Sequence, residues 1–96
     1  MAQRTEGSHK GSNAKSVSKT LEILSTFNEL APEQRTSDIA TKLHMNISTV
    51  SRHLNTMLDW GFLMRDEETG RYSLGYEVVA LAGAALQNNP LYRHAY

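Results

Sequence analysis

Two apolar stripes of helical period are separated by only three residues, His44-Met45-Asn46, and at Gly61 the pattern changes from helical to alternating. Few folds accept that order. In the first stripe Ile39, Ala40 and Leu43 form the inner face of a short helix, with Thr36 or Ser37 as its cap and Asp38 complementing the positive end of its dipole. In the second, capped by Asn46 or Ser48 and running over about 47–60, Val50, Leu54, Met57 and Leu58 form the buried stripe. Gly61, free to take positive φ, ends it. Phe62-Leu63-Met64-Arg65, the polar Asp66–Gly70 turn and Arg71-Tyr72-Ser73-Leu74 then read as a β-hairpin over 62–74. Setting Asp66 opposite Arg71 pairs Leu63 with Leu74 and Arg65 with Tyr72, which buries Leu63, Tyr72 and Leu74 together. Upstream, Val17, Leu21, Leu24, Phe27 and Leu30 mark an amphipathic helix from Ser16 to Leu30, stopped by Ala31-Pro32. Downstream, Gly75 releases a fourth helix from Tyr76 to about Gln87. The expected fold class is mainly α with a small β-hairpin: a winged helix-turn-helix of three core helices plus wing, followed by one further helix.

Ninety-six residues fit one small core, and the lack of cysteine excludes a disulfide framework and any thiolate metal site, so a cytoplasmic location is expected. The most apolar stretch, Val78 to Leu86, is about half the length needed to span a bilayer, and no membrane partner is expected. Ten Lys plus Arg balance ten Asp plus Glu, but unevenly. Arg4, Lys10, Lys15 and Lys19 against Glu6 give residues 1–20 a charge of +3, while 21–60 carry −2 and 61–96 carry −1. Residues 1–15 lack apolar periodicity and read as a flexible basic arm, either a passive terminus or a contact to a polyanion.

With the apolar stripe of the second motif helix turned inward, Ser48, Thr49, Ser51, Arg52 and Asn55 face outward. They are small or hydrogen-bonding, which suits entry into a major groove and contact with base edges. Arg65 and Arg71 at the base of the hairpin suit the DNA backbone, whereas the acidic tip of Asp66, Glu67 and Glu68 opposes phosphate. The candidate DNA-binding set is Thr36, Asn46, Ser48, Thr49, Ser51, Arg52, Asn55, Arg65 and Arg71. Each has a plainer alternative. Arg52 contacts phosphate or a guanine edge, or is held by Glu22 or Asp38; Ser48, Thr49 and Ser51 read DNA or merely cap; Asn55 contacts DNA or is simply solvated. His44 and His53 lack metal-ligand spacing and a third ligand, and no catalytic triad, paired-carboxylate cleft or phosphate-cradling loop is present, so neither catalysis nor a cofactor or metal is expected. Trp60, Met45, Met57 and Met64 read as core or edge packing.

Taken in order, Ser16–Leu24, Asp38-Ile39-Ala40 with Leu43, Ser48–Leu54, Leu58, Gly61-Phe62-Leu63 and Asp66–Gly75 resemble the N-terminal DNA-binding domain of the IclR family of bacterial transcriptional regulators. The likeness covers roughly residues 16–90. It implies a sequence-specific binder of a double-stranded DNA operator, with the helix at 47–60 reading the major groove and the hairpin as wing. It also implies a linker helix leading to a C-terminal domain that binds a small-molecule effector, and assembly into dimers or tetramers. On this reading residues 16–75 are the DNA-binding domain, 76–96 are the linker helix and the start of the connection, and the effector domain lies outside these 96 residues. The sequence departs from the family at His44, where Gly is frequent, and at Ile47, where a polar residue is frequent. Ile47 meets either a thymine methyl or a neighbouring helix. The fourth helix, with little polar face from Val78 to Leu86, needs a partner, either the first helix or a second copy. A homodimer through the first and linker helices would present two reading helices to a pseudopalindrome. The alternative is a winged-helix module that mediates protein association without reading DNA.

Overall fold

A computed structural model describes residues 7–88. The elements run α1 (Gly7–Ser25), α2 (Thr36–Leu43), α3 (Ile47–Asp59), β1 (Leu63–Arg65), β2 (Tyr72–Leu74) and α4 (Tyr76–Asn88). The fold is thus mainly helical with one antiparallel hairpin, as the sequence predicts.

The core forms where the three helices and the hairpin meet. Ile23 and Phe27, Ile39 and Ala40 from α2, Val50, Leu54 and Met57 from α3, and Leu63 and Tyr72 from the hairpin are buried together. Leu24, Leu43, Met45, Leu58 and Phe62 close its edges. The hairpin register is the expected one, Leu63 opposite Leu74 and Arg65 opposite Tyr72, locked by the Asp66 N–H donating to the Arg71 carbonyl at 2.8 Å. Leu74, however, stays exposed, because it lies at the strand end beyond the reach of the core.

The first helix differs most from expectation. It begins at Gly7, so residues 7–15 of the expected arm are helical, while residues 1–6 lie outside the described residues. Once the segment around Ile23 is packed, each residue added N-terminally costs only helix propagation, and no proline intervenes. The helix ends at Ser25, where the Thr26 hydroxyl turns back to the Ile23 carbonyl and the chain leaves the helix before Ala31-Pro32. Its inner face carries Ile23 and Leu24, continued by Phe27 beyond the helix end; Val17 and Leu21 are exposed, and Leu30 is 96% exposed. Trp60, 70% exposed, and Met64 also point outward, unlike Met45 and Met57.

Between α1 and α2 the chain makes a contact with no sequence signature. Gln34 and Tyr72 exchange backbone hydrogen bonds of 3.0 and 2.7 Å, so Gln34 adds a one-residue edge to the hairpin. Its side chain, 2% exposed, donates to the Thr26 hydroxyl at 2.9 Å and accepts from Lys42 Nζ at 2.6 Å. A buried amide is tolerated because both of its ends are paired.

α4 leaves the hairpin through Gly75, and the Glu77 N–H donates to the Gly61 carbonyl at 3.0 Å. Its main packing is against β1, and from Val79 to Asn88 every residue is exposed. Residues 89–96 of the expected connection lie outside the described residues. Among the described residues, no helix is long and apolar enough to cross a membrane.

Candidate nucleic-acid interface

The turn between α2 and α3 sets how α3 is presented. His44 takes the left-handed conformation (φ 54°, ψ 44°), the geometry that glycine adopts freely, and the Met45 N–H closes on the Ala40 carbonyl at 3.0 Å. Two residues on, the Asn46 side-chain oxygen accepts from the Ser48 N–H at 2.9 Å and from its hydroxyl at 2.6 Å. Asn46 is therefore the N-cap, and Ser48 braces it. At α2 neither Thr36 nor Ser37 caps. The N-cap is Arg35, whose N–H donates to Asp38 Oδ2 at 2.9 Å, because an aspartate three residues into the helix reaches back as well as a hydroxyl reaches forward.

Burying Val50, Leu54 and Met57 directs Ser48, Arg52, Asn55 and Asp59 to the opposite side of α3, and all four are exposed. Thr49 and Ser51 flank this line and are half-buried. Arg52 pairs with neither Glu22 nor Asp38 among the described residues, so its guanidinium is presented outward. Asp59 puts a carboxylate at the C-terminal end of the line, so Ser48, Arg52 and Asn55 are its neutral or cationic part. Ile47 is exposed beside them, half of its surface in solvent, rather than packed on a neighbouring helix. Thr36, half-buried, opens α2.

On the hairpin, the Arg65 guanidinium lies 5.7 Å from the centroid of the Tyr72 ring, a cation–π contact that holds the charge over the strands. Arg71 is exposed beside Gln34 and Lys42. At the tip, Asp66 Oδ1 accepts from the Glu68 N–H at 2.9 Å, which turns its carboxylate into the turn and leaves Glu67 and Glu68 as the acidic surface.

A second polar feature borders the reading line. Ser16 and Thr20 of α1 and Arg52, His53 and Thr56 of α3 line a cavity of about 190 Å³. Thr20 Oγ1 lies 2.9 Å from His53 Nδ1 and donates to the Ser16 carbonyl at 3.1 Å. The hydroxyl has one proton: given to Ser16, it leaves Nδ1 as the ring donor and Nε2 with the lone pair; given to Nδ1, it places the ring hydrogen on Nε2. Burial, reinforced by the positive charges of Arg52 and Lys19, pushes the His53 pKa below its usual value. Of these residues only Arg52 belongs to the candidate set. Thr56 stands four residues beyond Arg52, a spacing that could have flagged it; Ser16, Thr20 and His53 meet only through tertiary packing.

Residues 16–67 match the family model of the IclR helix-turn-helix domain. Among curated proteins, the chain is 36% identical over 64 residues to the HTH-type transcriptional regulator XynR of Escherichia coli, covering 67% of this chain and 25% of that protein. It is 33% identical over 82 residues to the HTH-type transcriptional regulator KdgR of Dickeya chrysanthemi, covering 83% and 27%. Among solved structures, Pseudomonas aeruginosa HmgR superposes with a TM-score of 0.70 at 34% identity, over 77% of this chain and 30% of that one. The chain thus spans about a quarter of the length of the curated relatives it matches.

Proposed function

This chain belongs to the IclR family of helix-turn-helix transcriptional regulators, and from that premise we propose that it binds double-stranded DNA sequence-specifically, with α3 in the major groove and the hairpin as wing. The observation that carries the proposal is the outward line Ser48, Arg52 and Asn55 at the capped end of α3, exposed and uncommitted to any carboxylate. Side chains of this kind match the donor and acceptor pattern of base edges in the major groove, and Arg65 and Arg71 supply charge for the flanking backbone. Thr36, Asn46, Thr49 and Ser51 form the surrounding polar rim.

A homodimer completes the reading. Val17 and Leu21 on α1 and Val79 and Leu81 on α4 are apolar and exposed, which favours a second copy as their cover and a pseudopalindromic operator as the target. The working location is the cytoplasm, with the DNA. We assign small-molecule sensing to the part of the relatives' length that this domain does not match. The same apolar helices favour one competing reading, protein association without DNA.

Selection from a random duplex library separates the two. Repeated capture and sequencing is expected to enrich a motif with two related half-sites. Recovery of unenriched sequence, with self-association intact, would replace the proposal with the protein-association reading.

A further inference from the structure

Building on the DNA-binding reading above, we propose that the cavity between α1 and α3 seats one phosphate of the DNA backbone, with Arg52, Ser16, Thr56 and His53 as its donors. Three observations carry this. The cavity opens beside the reading line rather than on it, since Arg52 belongs to both and Thr56 lies one turn further along the same flank. A helix lying in the major groove presents its outermost line to base edges and its flanks to the groove walls, which are sugar and phosphate. The lining is also of one chemical kind: a guanidinium, an imidazole and three hydroxyls, with no carboxylate. The larger cavities near α1 and α2, by contrast, each include Glu22, or Glu33 with Asp38, in their walls.

The third observation is the state of the imidazole. In the tautomer whose Nδ1–H donates to Thr20, Nε2 is a lone pair that an anion would meet unfavourably until it takes up a proton. The charged groups acting on the ring are Arg52 on α3 and Lys19 on α1, both cationic, so in the free protein nothing nearby favours protonation. An arriving phosphate reverses that balance. Protonation at Nε2 then turns His53 into a second charged donor without disturbing its bond to Thr20. The Thr56 hydroxyl, which bonds the Arg52 carbonyl at 3.3 Å, is freed for phosphate by rotation about χ1. Binding at this seat therefore takes up a proton.

The test is fluorescence anisotropy with two probes, the duplex recovered by selection and one duplex of random sequence, between about pH 8 and about pH 6. The wild-type chain is expected to bind both probes more tightly on acidification, and His53→Gln to abolish that gain while His44 is untouched. Thr56→Asp, which places a carboxylate in the seat, is expected to weaken both probes alike by about tenfold or more. Ser16→Asp approaches the same seat from α1 and is expected to do likewise, so a helix-specific effect of either variant is recognisable, and thermal midpoints verify that both fold. Binding that is independent of pH in the wild type, or unchanged by both aspartates, overturns the phosphate seat and leaves DNA binding standing. Failure of the wild type to bind either probe overturns both.

Discussion

His44 holds the left-handed conformation at the end of α2, and a non-glycine residue there costs about 1 to 2 kcal/mol, partly offset by the backbone entropy that glycine would lose. His44→Gly is accordingly expected to leave the fold intact and raise stability by up to about 1 kcal/mol, read from urea unfolding. His53 makes the opposite kind of contribution. Its pKa in the folded chain lies below the unfolded value of 6.5, through burial first and then Arg52 and Lys19. Well above pH 6.5 the ring is neutral in both states. As pH falls through 6.5 the unfolded chain takes the proton first, so stability declines until the folded ring also protonates. Thermal midpoints of the free protein should therefore fall across this interval, and His53→Gln should flatten that fall. DNA binding is expected to move the other way, because phosphate favours the protonated ring.

At the scale of elements, the sharpest constraint is the exit from the hairpin. A Cβ on Gly75 would stand 2.5 Å from the Gly61 carbonyl oxygen and 3.0 Å from backbone atoms of Leu63, none of which can rotate away. Gly75→Ala should destabilise by about 1 to 3 kcal/mol, measured by denaturant unfolding, and shift α4 relative to β1. That glycine sits where the sequence already marks a break, and the hairpin register follows from the Asp66–Arg71 pairing alone. The outward line of α3 was equally legible at Ser48, Arg52 and Asn55, because a single apolar stripe leaves only one opposite face, while Thr49 and Ser51, also expected outward, flank it half-buried. α1 was not. Its apolar residues at 17, 21, 23 and 24 form two overlapping stripes, and only the placement of α2 and α3 decides that Ile23 turns inward while Val17 and Leu21 turn out. The strand contact at Gln34 and the α1–α3 cavity were invisible for a related reason. One bridging residue has no period, and Thr20 and His53 are 33 residues apart.

For the whole molecule, that rotation of α1 bears on the proposed homodimer. With Val17 and Leu21 about half exposed and α4 burying no residue, two helices offer apolar surface that no part of the described chain covers. Leu21→Glu combined with Val79→Glu should shift sedimentation equilibrium toward monomer while the far-UV circular dichroism stays that of the folded domain, since neither side chain is in the core. A wild-type chain that sediments as a monomer at micromolar concentration would refute the shared interface. The other global property comes from Gln34. Because its backbone is tied to Tyr72 and its side chain to Thr26 and Lys42, the wing cannot swing without breaking bonds to the helical core. The span from the strands that carry Arg65 and Arg71 to the N-terminal end of α3 is then preset, and in the proposed complex a mismatch in that span is absorbed by bending or narrowing of the duplex. Base pairs that no side chain touches would be selected for how readily they deform.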